Sequence, residues 1–179
     1  DGTSCDKCGA GWYSTDGQAC KRCAENHYSE AEGAAQESVC TGCPAHTSTG
    51  TSTGVTTPSG CLPDPGYTGD YTSLDACAAG TYKEDVGTKP CTACLAGKAS
   101  TGQNETSVDC CVTCASGQYS QSGAQFCKCS DSVRIKQSDG TCVCPAGYHP
   151  NGTSCDTCGA GRYSTDGQAC KRCAENHYS

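Results

Sequence analysis

The sequence has little of the material from which an apolar core is built. Its 179 residues include no Met, one Trp and one Phe, and Leu and Ile are few. No segment approaches the roughly 18 consecutive apolar residues of a membrane-spanning helix. We therefore expect neither a single large core nor a bilayer span within this sequence. Small modules without a core need covalent or metal cross-links to fold.

Basic charge is also scarce, with 12 Lys and Arg against 19 Asp and Glu and a net charge of −7. This balance argues against nucleic acid or an anionic membrane surface as a partner. Cys, by contrast, is abundant, since 21 of the 179 residues are Cys, above the roughly 8–10% that marks a disulfide scaffold. Disulfides at this density need an oxidising compartment, which predicts an extracellular or cell-surface location.

The two ends of the chain are near copies of each other, because residues 151–179 repeat residues 1–29. The copies differ at three positions, which are Asp1/Asn151, Lys7/Thr157 and Trp12/Arg162. A long period of this kind is the mark of a repeat architecture. We interpret the chain as one long repeat followed by the start of the next, cut from a longer array, and we expect an extended molecule.

A shorter unit recurs inside the long repeat: a Cys, two or three small residues, a Gly, often a Tyr, a polar turn and a second Cys. The Gly permits a turn with positive φ, the Tyr can lie over a disulfide, and the polar stretch favours a hairpin. The predicted fold class is therefore small disulfide-rich β, with tandem β-hairpin cysteine-rich modules in an elongated rod and no single core. The Gly and Tyr positions are Gly11, Gly80, Gly117, Gly147, Gly161, Tyr13, Tyr82, Tyr119, Tyr148 and Tyr163.

The Cys positions divide the chain into groups of these modules. Cysteine-rich modules are predicted over 1–23, over 23–61 with a Thr/Ser-rich loop at 46–59, over 61–94 and over 94–127. EGF-like or hairpin modules are predicted over 127–155, and 151–179 begins the next long repeat.

The simplest disulfide pairing joins the two Cys that bound each unit, although spacing alone does not fix connectivity. The partners of Cys5 and Cys173 would then lie beyond the ends of this chain. Cys111 is left over, and an odd Cys in a secreted protein indicates a free thiol or an interchain bond. The pairs are Cys8–Cys20, Cys23–Cys40, Cys43–Cys61, Cys77–Cys91, Cys94–Cys110, Cys114–Cys127, Cys129–Cys142, Cys144–Cys155 and Cys158–Cys170.

The units resemble the ephrin-receptor-like cysteine-rich repeats, which are related to the tumour-necrosis-factor-receptor and growth-factor-receptor modules. The resemblance is carried by CAAGTYKEDVGTKPCTAC (77–94), CASGQYSQSGAQFC (114–127), CGAGRYSTDGQACKRC (158–173) and PGYTG (65–69). Arrays of such units occur in protist and algal surface glycoproteins, including mastigoneme-type filaments. The sequence departs from the pattern at Cys61, which lacks a Cys-x-x-Cys partner, and in 127–144, where Cys-x-Cys pairs occur.

Chemistry-bearing alternatives find weaker support. Cys5-x2-Cys8 with Cys20-x2-Cys23 has the spacing of a zinc knuckle, but zinc sites rarely tile a chain from end to end, and we favour disulfides. The His residues lack the orienting partner of a catalytic base. We nominate no catalytic residue, no metal ligand and no cofactor.

Two sequons for N-glycosylation are present, Asn104-Glu-Thr106 and Asn151-Gly-Thr153. The Thr/Ser-rich loop reads either as a bare flexible loop or as an exposed carrier of O-glycans. Its acceptors would be Thr47, Ser48, Thr49, Thr51, Ser52, Thr53, Thr56, Thr57 and Ser59.

These observations support two hypotheses of function. The first is a structural glycoprotein subunit of an extracellular filament or cell-surface appendage, which assembles with itself or with sister chains. Near-exact repetition favours it, because equal repeats present equal contacts. The alternative is a membrane-anchored surface antigen or receptor ectodomain that displays epitopes or binds a ligand.

Overall fold

The computed structural model describes residues 7–174 and consists of ten two-stranded antiparallel hairpins. Three short 3₁₀ helices, Glu37–Val39, Pro58–Gly60 and Val108–Cys110, interrupt them, and these residues contain no α-helix. The strand pairs are β1 Trp12–Tyr13 with β2 Lys21–Arg22, β3 His27–Tyr28 with β4 Thr41–Gly42, β5 Thr47–Ser48 with β6 Leu62–Pro63, β7 Tyr67–Asp70 with β8 Ser73–Ala76, β9 Thr81–Tyr82 with β10 Thr92–Ala93, β11 Lys98–Ala99 with β12 Val112–Thr113, β13 Gln118–Tyr119 with β14 Lys128–Cys129, β15 Ile135–Lys136 with β16 Cys142–Val143, β17 Tyr148–Asn151 with β18 Ser154–Thr157, and β19 Arg162–Tyr163 with β20 Lys171–Arg172.

Nine of the ten hairpins in residues 7–174 begin at a residue with left-handed backbone geometry, as the Gly pattern predicts, and the exception is β15–β16, which follows Arg134. Gly11 has φ of 79° and Gly161 has φ of 75°. A Cβ at Gly11 would also collide with the Gly54 carbonyl oxygen, so the position requires Gly for space as well. In two modules the same place is taken by Asn26 and His46, with φ of 63° and 62°. Asn and His are among the residues enriched in this region, so the turn is kept without Gly.

In most of the described hairpins, a backbone hydrogen bond closes the open end. The Cys23 amide donates to the Gly11 carbonyl at 2.8 Å, and the Cys173 amide donates to the Gly161 carbonyl at 2.9 Å. The registers of the two copies also agree, with Tyr13 opposite Lys21 in the first and Tyr163 opposite Lys171 in the second. The repeated sequence therefore folds into a repeated hairpin.

The hairpins fall into two compact units. One unit extends as far as Thr92 and includes Gly102–Cys110, and the other holds Ala93–Thr101 and the chain from Cys111 onward. Neither is organised around a layer of large apolar side chains. The buried apolar residues of the described chain are mainly half-cystines, joined by Tyr13, Ala34 and Ala99. The hairpins therefore share no common core, as the composition predicts.

The Tyr residues contribute less to the interior than the sequence suggests. Tyr13 is buried at 9% exposure, whereas Tyr119 and Tyr163 are 47% and 43% exposed. The aromatic therefore covers its neighbours in the first module and stands in solvent in others. The disulfide remains the common element.

The Trp12/Arg162 difference between the copies offers a matched test of hairpin stability. The Arg22 guanidinium lies 4.8 Å from the centre of the Trp12 ring, whereas Arg162 faces Arg172 across the second hairpin. A cation–π contact at an exposed site is worth about 0.5–1 kcal/mol, and like charges directly opposite each other are destabilising. Trp12→Arg should raise the exchange rate of the Cys23 amide by roughly twofold to fivefold, and Arg162→Trp should slow exchange at Cys173. Unchanged exchange in both variants, measured by NMR, would contradict this account of the pair.

Candidate functional site

Nine disulfides staple the described residues, with Cα–Cα separations between 5.5 and 5.8 Å. Eight of them join the cysteines that the sequence scheme pairs. Cys5, whose partner the scheme places outside the chain, lies outside the described residues. Cys173 forms no disulfide within residues 7–174. The eight are Cys8–Cys20, Cys23–Cys40, Cys43–Cys61, Cys77–Cys91, Cys114–Cys127, Cys129–Cys142, Cys144–Cys155 and Cys158–Cys170.

The ninth pair corrects the scheme, because Cys94 is bonded to Cys111 and not to Cys110. The expectation that Cys111 is a free thiol or an interchain cross-link is therefore wrong. In the Cys23–Cys40 and Cys43–Cys61 modules, the second half-cystine follows a 3₁₀ helix and directly precedes a strand. Cys110 is the last residue of the third 3₁₀ helix, so Cys111 holds the equivalent place before β12. The Cys111-x2-Cys114 spacing carried this signal in the sequence.

Successive modules are joined by a recurring set of three backbone hydrogen bonds, which we call the junction. At the first junction, the Gly11 amide donates to the Ser29 carbonyl at 2.7 Å and the Ser14 amide to the Ala34 carbonyl at 2.9 Å. The Gly33 amide of the second module donates back to the Cys8 carbonyl at 2.7 Å. Because all three bonds use main-chain groups, the junction depends on backbone shape more than on side-chain identity.

All three bonds recur at the junction that begins at Gly97, and one or two of them recur at the other junctions. The further bonds, each from a backbone amide to a backbone carbonyl, are Ser29 to Val55, Gly54 to Cys23, Lys83 to Glu105, Asn104 to Cys77, Gly66 to Lys83, Gly97 to Ser120, Ser100 to Ala124, Gly123 to Cys94 and Gly147 to Ser164. The return donors Gly33, Gly54, Asn104 and Gly123 all have positive φ, between 58° and 74°. Sequence reasoning identified the Gly that opens each module but missed this second left-handed position within the polar turn.

A small polar residue is buried at most junctions, at the position after the first strand. The signal available in the sequence was the Ser that follows Tyr in several units. Here the backbones of adjacent modules meet, and a small side chain lets them approach closely. Those buried to 7% exposure or less are Ser29, Thr49, Ser100, Ser120 and Ser164.

Lys83 replaces this small residue in one module and is 4% exposed. Its Nζ donates to the carbonyl oxygens of Pro63 and Asp64, at 3.0 and 3.2 Å. Burial lowers the pKa of Lys83, opposed by the charges of Asp64 and Asp85. Cys61 has already closed the preceding loop, so the hairpin β7–β8 has no disulfide of its own. The hydrogen bonds of the Lys83 amine therefore hold the segment before this hairpin, which has no disulfide to hold it.

The Cys129–Cys142 and Cys144–Cys155 modules are joined by side-chain hydrogen bonds, and we call this contact the Asp131 junction. The Asp131 carboxylate accepts from the Val133 amide at 2.9 Å and from the Cys155 amide at 2.7 Å. Arg134 donates to the carbonyls of Cys142 at 3.1 Å and Gly152 at 3.0 Å. The two backbone N–H donors, with a smaller contribution from the Arg134 charge, lower the pKa of Asp131. The predicted EGF-like or hairpin region thus contains two hairpins, β15–β16 and β17–β18, pinned by an ionised carboxylate.

The Thr/Ser-rich loop is partly folded inward. Thr47 is 7% exposed and its hydroxyl donates to the Pro44 carbonyl at 2.6 Å. The Thr49 hydroxyl, in a side chain 5% exposed, accepts from the Asn26 amide at 2.8 Å and donates to the Ser52 carbonyl at 2.7 Å. Both hydroxyls are occupied in the folded protein, which makes them poor acceptors of O-glycans, and Ser48 is half-buried. The prediction remains for the exposed Thr51, Ser52, Thr53, Thr56, Thr57 and Ser59.

The two sequons differ in what holds the Asn amide. Asn104 Nδ2 donates to the Tyr67 hydroxyl at 3.1 Å, whereas Asn151 Nδ2 donates to the Asp156 carboxylate at 2.7 Å. Both Asn side chains are exposed. Glycosylation at either site stays a prediction.

The cysteines of the zinc-knuckle alternative are committed to disulfides where the structure describes them. Cys8 is bonded to Cys20 and Cys23 to Cys40. His149 Nδ1 lies 3.3 Å from Cys170 Sγ, but that sulfur is bonded to Cys158. Because both sulfurs are part of a disulfide, the His149 imidazole is the remaining group of these three that could bind a metal. The arrangement is therefore a contact between an imidazole ring and a disulfide.

Comparison with known proteins adds no family assignment, because no protein-family model and no curated protein matches the chain significantly. Within residues 7–174, none of the helices has the length and apolar character needed to cross a membrane. The abundance of disulfides is typical of proteins from an oxidising, extracellular environment. The protein is thus an array of tandem hairpin modules held by disulfides, of a type typical of extracellular proteins.

The corrected pairing predicts different effects for two adjacent substitutions. Cys111→Ser should remove the bond to Cys94 and reduce the free energy of unfolding by about 2–4 kcal/mol, because the closed loop is released. Cys110→Ser should leave the Cys94–Cys111 bond in place. Peptide mapping without reduction reads out both. Recovery of a Cys94–Cys110 peptide from the unsubstituted protein would show that the pairing is wrong.

The Asp131 junction should weaken in acid. The folded-state pKa of Asp131 lies below its ordinary value, so its stabilisation is complete above the unfolded-state pKa of about 3.9 and is lost as the pH falls through the folded-state pKa. Exchange at the Cys155 amide, corrected for intrinsic rates, should therefore accelerate in that window. Asp131→Asn keeps an acceptor oxygen without the charge, and in this variant the acceleration should disappear. A pH response that survives the substitution would exclude Asp131 as its source.

Proposed function

We propose that this protein is a structural glycoprotein subunit of an extracellular filament or cell-surface appendage. Within each unit, disulfide-stapled hairpins follow one another along the chain and are joined by junctions. The observation that carries the proposal is the recurrence of one junction geometry on side chains that differ from module to module. A junction made by the backbone can be repeated many times along a chain, which is the requirement for an extended array.

The near-identical ends support the same proposal. Hairpins β1–β2 and β19–β20 share one register, so the long repeat returns to the same local structure. Equal repeats present equal surfaces at regular intervals, and regular surfaces favour ordered self-assembly or assembly with sister chains. The resemblance to ephrin-receptor-like repeats and to mastigoneme-type filament proteins agrees with this role. Glycans on the predicted sequons and hydroxyls would solvate the outer surface.

The mechanical part of the function follows from the covalent closure of the loops. Each disulfide joins two cysteines that are between 11 and 18 residues apart in the sequence. These residues cannot extend under load until the bond is reduced, so a pulled chain keeps most of its length folded. A fully extended residue spans about 3.3–3.6 Å, so reduction should release roughly 30 to 60 Å for each bond.

Electron microscopy of the native purified protein tests the proposal. We expect filaments with a fixed axial repeat. When the disulfides are reduced, the filaments should break up into separate particles. Separate short particles under oxidising conditions, or protein recovered only with membranes, would contradict the filament and favour the surface antigen or receptor ectodomain. Single-molecule stretching of the same sample supplies a second readout, since the extension steps of the disulfide-closed loops should appear only after a reductant is added.

A further inference from the structure

The amide of Asn104 lies beside a pair of stacked rings in the first unit. The His46 and Tyr67 rings are nearly parallel, at 14°, with centroids 4.2 Å apart. Asn104 Nδ2 donates to the Tyr67 hydroxyl at 3.1 Å. His46 and Asn104 are exposed and Tyr67 is half-buried, so the cluster faces solvent. We call His46 and Tyr67 the aromatic platform.

The backbone fixes the direction in which Asn104 projects. Asn104 has φ of 58° and fills a position that Gly occupies at other junctions. Its amide donates to the Cys77 carbonyl at 3.0 Å, and the next residue, Glu105, accepts from the Lys83 amide at 3.0 Å. Asn is the residue other than Gly that adopts this conformation most readily. The junction therefore holds the Asn104 side chain against the platform.

We propose that the aromatic platform is a binding site for the first sugar of an N-linked glycan carried by Asn104. The ligand class is an N-acetylhexosamine. One face of such a ring presents C–H groups that pack on an aromatic ring, whose face carries negative charge density. The inference rests on the proposed function, because it requires a chain that passes through a glycosylating secretory pathway.

The chemistry of the amide allows the sugar and the hydrogen bond together. Transfer from a pyrophosphate-activated oligosaccharide forms a bond between sugar C1 and Nδ2 and breaks the bond between C1 and the pyrophosphate oxygen. The pyrophosphate leaves with the bonding electron pair, and one Nδ2 proton is lost. The second Nδ2 hydrogen remains and can still be donated to the Tyr67 hydroxyl. That retained bond places the sugar next to the platform.

The sugar would connect parts of the chain that are separate in sequence. His46 belongs to the Cys43–Cys61 module, Tyr67 to strand β7, and Asn104 to the segment Gly102–Cys110 of the same unit. Strand β7 belongs to the hairpin without a disulfide of its own. The glycan thus supports the least cross-linked hairpin of this unit.

The second sequon provides a control within the same chain. The Asn151 amide is held by the Asp156 carboxylate, a charged and strongly hydrated group. A sugar at Asn151 therefore has no comparable anchor, and it should add solubility without supporting the hairpin. The two sites can be silenced separately by Thr106→Ala and Thr153→Ala, which keep both Asn residues in place. Thr106→Ser preserves the first sequon and controls for the change of side chain.

The experiment uses the full chain secreted from a eukaryotic host, with its glycans trimmed to a single N-acetylglucosamine. We expect nuclear Overhauser contacts between the sugar on Asn104 and the Tyr67 ring. Thr106→Ala should accelerate amide exchange at Tyr67 and Cys77 severalfold, whereas Thr106→Ser and Thr153→Ala should leave it unchanged. In a Tyr67→Ser background, Thr106→Ala should have no further effect.

Three results would overturn the inference: no glycan at Asn104, no contact between its sugar and Tyr67, or equal effects of Thr106→Ala and Thr153→Ala. Each is independent of filament formation, which microscopy measures separately. Filaments without the sugar contact would reject only this inference. The sugar contact without filaments would reject only the assembly proposed above.

Discussion

Covalent closure of short loops is the constraint on which the rest of this structure depends. A chain with few large apolar residues cannot offset its conformational entropy by burying a core. Here each disulfide limits the freedom of one loop, and the half-cystines make up most of the buried apolar residues. The closed loop holds a left-handed residue at the start of a two-stranded hairpin. Once the hairpin has formed, its remaining backbone amides and carbonyls are placed so that they can hydrogen-bond to the next module.

The junctions explain how the sequence can vary while the architecture repeats. Main-chain bonds such as Gly11 to Ser29 and Gly97 to Ser120 require a left-handed turn and a small buried neighbour, and little else. Substitutions outside those positions change the surface. Where the rule is broken, a side chain supplies the missing contact, as Lys83 does beside the hairpin without its own disulfide and Asp131 does near the Cys-x-Cys segment. These exceptions are where pH and surface chemistry can act on the array.

Much of the fold could be predicted because the strongest signals are local. The Cys spacing and the Gly at the third position after it predict hairpins, and a φ of 79° at Gly11 agrees with that pattern. The pairing of Cys94 with Cys110 was wrong because counting from the preceding Cys cannot distinguish adjacent residues. The Cys111-x2-Cys114 spacing carries the distinction, and the 3₁₀ helix that ends at Cys110 agrees with it. The burial of Thr47 and Thr49 was also missed, because a Thr-rich stretch carries no local sign that two of its hydroxyls meet the Pro44 carbonyl and the Asn26 amide. The cluster of His46, Tyr67 and Asn104 joins residues far apart in sequence, which no local pattern reveals.

Amide exchange before and after mild reduction tests the central claim most directly. If loop closure holds the modules, the junction amides of Gly11, Gly33, Gly97 and Gly123 should be protected in the oxidised protein. Each should lose that protection as the disulfides of the modules that form its junction open. Protection that persists in the fully reduced chain would contradict the account, because it would show that noncovalent contacts are sufficient to hold the modules together.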